Sequence, residues 1–194
     1  QLHPSIFVFS LSLSSESTLS DTLDRGLYAD FLLRSYDEWL EKYTPLLAEY
    51  REIETFVVLA SASASASTDD IPVVAIPEIA PISIILGESG AGKTTALWRI
   101  VVEESKAIKE ANGDRIPVLF SLRGWEPSHR CRDLVQDEFH LVGASFQAIE
   151  NELLYGNCLI LVDGLNELSP VDRVRRDAYR DLQRFIITYS QNRF

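Results

Sequence analysis

"GESGAGKTT" occupies residues 87–95, between the apolar "PISIIL" of 81–86 and "ALWRIVVEESKAIKE" of 96–110. The stretch meets the pattern GxxxxGK[ST] with Gly87, Gly92, Lys93 and Thr94. Glycines at those places let the backbone curl so that successive N–H groups point inward at phosphate oxygens, while the following helix presents its positive end. Lys93 would reach the β- and γ-phosphates, and the Thr94 hydroxyl would ligate Mg²⁺. The competing reading is a Gly-rich turn between two pieces of core. With glycine at about 7% of residues, two glycines at this spacing fall together by chance at roughly one site in 200. Requiring Lys and Ser/Thr as well lowers a chance match anywhere in the chain to about one per cent. The stretch therefore reads as a phosphate site formed by Gly87, Glu88, Ser89, Gly90, Ala91, Gly92, Lys93, Thr94 and Thr95.

A phosphate loop needs a carboxylate at the end of a neighbouring strand to hold the Mg²⁺ shell. "CLILVDGLNEL" at 158–168 supplies Asp163 directly after an apolar run, and Gly164 allows a sharp exit. Asp163 and Thr94 are thus the metal candidates. Glu167, four residues beyond Asp163, is placed to orient and deprotonate an attacking water. The plain alternative for Asp163-Gly164 is an ordinary turn at a strand end.

The same half of the chain alternates strand and helix. Apolar runs at 82–86, 116–122 and 158–162 predict strands. Helical spacing at 94–111, 133–142, 145–155 and 171–189 predicts helices between and after them. Strands that are apolar throughout, alternating with helices, imply an α/β fold with a parallel sheet covered on both faces. Upstream, 27–43 has the spacing of an amphipathic helix ending near Pro45, and 7–13 alternates as a strand would. "ASASASAS" at 60–67 is low in complexity. The expected organisation is an N-terminal segment at 1–59, a linker or surface loop at 60–78, and a compact unit at 79–194.

A net charge of −11 argues against a general nucleic-acid binder. Cys131 and Cys158 form no CxxC pair, so neither a zinc site nor a disulfide framework is indicated, and a cytoplasmic setting is expected. No run of 18 apolar residues occurs, so no membrane span is expected. The chain starts at Gln1 and contains no Met, which leads us to expect a fragment. His3, His129 and His140 lack metal-ligand spacing, and Trp98 and Trp125 read as core. Arg123, after the second strand, either faces a γ-phosphate or is solvated.

Together "GESGAGKTT", "IPVLFSLRGW" (116–125) and "CLILVDGLNEL" resemble the NACHT domain of the STAND class of P-loop ATPases, especially its bacterial members. The resemblance is strong over 79–194; "SYDEWLEKY" at 35–43 resembles, more faintly, a segment upstream of that domain. It implies a P-loop NTPase sheet, incomplete at the C-terminus and preceded by a helical segment. Asp163 then matches the Mg²⁺-linked aspartate and Glu167 the hydrolytic glutamate, while Asn166 stands where Asp is frequent. ATP or ADP as ligand is implied by the resemblance alone, as are self-association or protein partners in a longer protein. The strand that would end in the family's sensor arginine, the winged-helix region and the repeat domain of that family are not expected within 1–194. A signalling switch with slow hydrolysis is the leading expectation. A scaffold that keeps nucleotide without turnover is the second, and a metabolic P-loop enzyme ranks last.

Overall fold

The computed structural model describes residues 22–47, 56–57, 71–88, 90–168 and 171–194. The alternating stretch at 7–13 and the Ala/Ser repeat at 60–67 lie outside the described residues. Six α-helices and two small sheets among the described residues make a mixed α/β arrangement.

Helix α1 (Arg25–Leu47) starts where Asp24 Oδ1 accepts the Leu27 N–H at 3.0 Å. Its spacing buries Tyr28 and Leu32 and leaves Leu27 exposed, and the helix runs two residues past Pro45, further than expected. Strands β1 (Phe56–Val57) and β2 (Ile71–Pro72) form a short antiparallel pair. A 3₁₀ turn (Val73–Ala75) and helix α2 (Ile76–Ile79) follow. Val73 and Ile76, within the segment read as linker, are buried in one core with Tyr28, Ile100, Val118 and Ile160. The N-terminal helix and the segment before residue 79 therefore pack as part of the same hydrophobic unit as the sheet.

Helix α3 (Lys93–Lys109) leads to strand β3 (Ile116–Ser121) and a 3₁₀ turn (Leu122–Gly124). Helices α4 (Cys131–His140) and α5 (Phe146–Tyr155) precede strand β4 (Cys158–Asp163), a 3₁₀ turn (Leu165–Glu167) and helix α6 (Asp172–Thr188). Strands β3 and β4 pair in parallel from Ile116↔Cys158 to Ser121↔Asp163. Successive strand side chains face opposite sides, so the consecutive burial of Ile116, Pro117 and Val118, and of Cys158 to Leu161, means that both faces are covered.

The apolar run at 82–86 departs from expectation. It is no strand of either sheet, and Ile84 and Leu86 are 69% and 87% exposed. An apolar run shows a preference for burial but does not supply a ladder partner. Among the described residues this one is bonded through Phe194, whose N–H donates to the Pro81 carbonyl and whose carbonyl accepts from Ser83, both at 2.8 Å. Arg193 in turn bridges Leu159 in parallel. The lateral order is therefore β3, β4, 193–194, 81–83.

Buried polar groups stitch these pieces together. Asn192 donates to the carbonyls of Leu153 (2.7 Å) and Tyr189 (2.8 Å) and accepts from the Cys158 N–H (2.9 Å). Tyr28, stacked on Phe139 of α4, donates its hydroxyl to the Pro117 carbonyl at 3.1 Å and so ties α1 to β3. Arg115, just before β3, binds Glu104 of α3 at 3.0 Å and also pairs with Glu78 of α2.

On α4, burial pushes the Glu138 carboxyl up to about 7, and neighbouring Asp137 adds to the shift. A carboxyl raised in this way stabilises the fold fully below its ordinary value of 4.5, and that contribution is lost as pH rises through about 7. Glu138→Gln keeps the neutral shape. It is expected to stabilise the protein by about 1–3 kcal/mol near pH 8 and to leave stability unchanged near pH 4. Urea unfolding at the two pH values checks this, and an equal effect at both contradicts a buried, titrating Glu138.

Candidate functional site

The parallel register brings the carboxyl ends of β3 and β4 level, with Ser121 beside Asp163. In open parallel sheets, ligands gather beyond that end. The chain leaves β4 through Gly164 at φ 78°, and a Cβ there would lie 3.1 Å from Ser121 Oγ. The left-handed φ favours glycine, and a Cβ would crowd the Ser121 hydroxyl.

Thr94, the second residue of α3, donates its hydroxyl to Asp163 Oδ2 at 2.9 Å. Two residues 69 positions apart thus meet at the junction of helix and strand end. Both supply hard oxygens, the donor type that holds Mg²⁺ through one or two protein groups while phosphates and water complete the shell. Among the described residues no group of three or more His, Cys, Asp or Glu is arranged to hold a metal unaided. A cation held by these two oxygens would need its remaining ligands from outside the pair.

The loop is placed as follows. Lys93 Nζ donates to the carbonyls of Gly87 (2.8 Å) and Glu88 (2.6 Å), closing the loop on itself. The Ala91 N–H donates to the Glu88 carbonyl at 3.2 Å. Gly90 is exposed, and Gly92 caps α3 at φ 80°, in the left-handed region that favours glycine. Thr94 and Thr95 are half-buried in the first turn of α3, which carries no acidic side chain to oppose an anion. Ser89 lies outside the described residues.

Glu167 ends the 3₁₀ turn after β4, where its N–H donates to the Gly164 carbonyl at 2.9 Å. Its Oε2 accepts from the Arg123 guanidinium. Arg123 sits on the matching turn after β3, and its N–H donates to Ser121 Oγ at 3.2 Å. Sequence reading placed Arg123 either toward a phosphate or in solvent; the structure leaves its side chain 71% exposed, as the second reading has it, and pairs it with Glu167. That contact follows from strand register, for which one-dimensional spacing carries no signal.

Trp125, buried as expected of a core residue, donates Nε1 to Asp181 Oδ2 of α6 at 2.9 Å. The same oxygen accepts the Cys131 N–H at 2.8 Å, so the start of α4 already has its anion. Burial and neighbouring Asp181 push the Cys131 thiol up, which keeps it protonated and unreactive. Trp98 is half-buried against Tyr36 and Trp39, with centroids 6.0 and 6.1 Å away. No described helix is long and apolar enough to cross a membrane. Comparison with protein-family models, curated proteins and solved structures finds no match to this chain.

The Thr94–Asp163 contact is testable without any ligand. Thr94→Val and Asp163→Ala should show a coupling of about 1–2 kcal/mol in a double-mutant cycle read by urea unfolding, the size of a half-buried, charge-assisted hydrogen bond. Strict additivity would mean that the two groups do not meet in solution.

Proposed function

We propose that this chain binds a nucleoside di- or triphosphate with Mg²⁺ through residues 87–95 and works as a nucleotide-dependent switch with slow hydrolysis. The observation that carries the reading is the Thr94–Asp163 hydrogen bond. The hydroxyl beside the phosphate-loop lysine and the strand-end carboxylate are the pair such chemistry requires, and they come from distant parts of the chain. A P-loop NTPase sheet is supported by the lateral order β3, β4, 193–194, 81–83, which sets the loop and Asp163 beyond the same end of parallel chain segments. ATP or ADP as the nucleotide, a NACHT-like signalling role, protein partners or self-association, and a cytoplasmic setting come with the resemblance described above.

In this reading Lys93 exchanges its contacts with the Gly87 and Glu88 carbonyls for the terminal phosphates, and the loop N–H groups carry the remaining phosphate charge. Bound Mg²⁺ supplies charge neutralisation at those phosphates. Glu167 orients water and takes its proton. A second reading, a module that holds nucleotide without turnover, is favoured by one observation: the Glu167 carboxylate is engaged by Arg123.

Binding is tested by thermal melting. MgADP at 100 times its Kd adds about 2.7 kcal/mol, which for a chain of this size raises the melting temperature by about 5–10 °C. Lys93→Ala should abolish the rise; no rise in the folded wild-type protein overturns the phosphate-loop reading. Turnover is tested separately. Glu167→Gln is expected to slow ATP hydrolysis by about 10²–10⁴-fold; an unchanged rate removes Glu167 as the base, and no turnover by the wild-type protein transfers the conclusion to the non-hydrolysing module.

A further inference from the structure

We propose that Arg123 is a latch on Glu167, which the terminal phosphate of a bound triphosphate opens and a diphosphate leaves shut. The inference rests on the phosphate-loop reading above and adds to it a residue that distinguishes the two nucleotides. Two nitrogens of Arg123, Nε and Nη2, converge on one oxygen of Glu167. The guanidinium fixes the orientation of the carboxylate through that oxygen, so Glu167 is not free to turn toward a water while the pair is made.

Position makes Arg123 the residue to respond. It lies two residues past Ser121, Ser121 is level with Asp163, and Asp163 is bonded to Thr94 at the phosphate loop. The backbones on both sides of the latch are fixed, Arg123 by Ser121 Oγ and Glu167 by the Gly164 carbonyl. Only side-chain rotation is needed to open it.

Energetics make the exchange feasible. The side chains are 71% and 42% exposed, so the pair is a solvated one, the class with the smallest net stabilisation. A terminal phosphate offers the same planar fork three acceptor oxygens and at least one full negative charge. Phosphate and carboxylate therefore compete for one guanidinium on comparable terms. A triphosphate that captures Arg123 frees Glu167 for its water; a diphosphate brings no competitor to that position.

Competition predicts a specific pattern of non-additivity, measurable by calorimetry with a non-hydrolysable β,γ-imido ATP analogue and with MgADP. Glu167→Gln, which weakens the hold on Arg123, should tighten the triphosphate by about two- to fivefold. Arg123→Ala should weaken it by a similar factor, and the double variant should match Arg123→Ala alone. MgADP affinity should agree within about twofold across all four proteins. If wild-type protein does not bind MgADP, the phosphate-loop reading fails and the latch with it. If MgADP binds but Glu167→Gln leaves triphosphate affinity unchanged, the latch alone is overturned. The same holds if Glu167→Gln tightens the triphosphate equally in the Arg123→Ala background, since simple charge repulsion then accounts for the effect.

Discussion

Six residues of parallel pairing between β3 and β4 set the level at which Ser121, Arg123, Asp163 and Glu167 emerge. Register in a sheet is quantised, and a slip of one residue turns each side chain to the opposite face. Such a slip here would put Phe120 or Leu122 beside Asp163 and carry Arg123 away from Glu167. The pairing is held by burial on both faces, so the apolar content of "IPVLFS" and "CLILV" fixes the geometry of polar groups that lie outside the sheet. Chemistry at the strand ends is in this sense a consequence of packing within the strands.

Lateral support comes from groups that satisfy backbone at the margins of the sheet. Asn192 gives three hydrogen bonds where β4 begins, and Tyr28 covers a carbonyl of β3 from the side of α1. Each is buried, so each contact would be replaced by an unsatisfied polar atom if the side chain were lost. That arrangement explains why α1, read as belonging to a separate segment, shares the core of the sheet.

Much of this was legible in the sequence, for reasons that differ by element. Helices α3 to α6 announce themselves through 3.6-residue periodicity, and the structure places each within about two residues of expectation. The adjacency of Thr94 and Asp163 was readable because the GxxxxGK[ST] pattern, taken as a phosphate loop, calls for a carboxylate at the end of a neighbouring strand. The run at 82–86 was misread as a strand, since hydrophobicity does not say whether a neighbouring chain offers a ladder. Val73 and Ile76 lie in the stretch read as a linker or surface loop, where the short turn and four-residue helix are too brief to show a hydrophobic period. The contact of Arg123 with Glu167 was invisible because it joins residues 44 apart through register alone.

Gly124 alone separates Arg123 from Trp125, and Trp125 is pinned to α6 by Asp181, which also holds the first N–H of α4. Moving this turn as a body would break a buried indole contact and unseat the start of a helix together. The turn is therefore stiff on its α6 side, and Arg123 projects from an anchored base. Motion at that position is confined to the four rotatable bonds of an exposed side chain, which reorient in picoseconds to nanoseconds, whereas loop displacement takes far longer. An arginine on such an anchored turn changes partners by side-chain rotation alone.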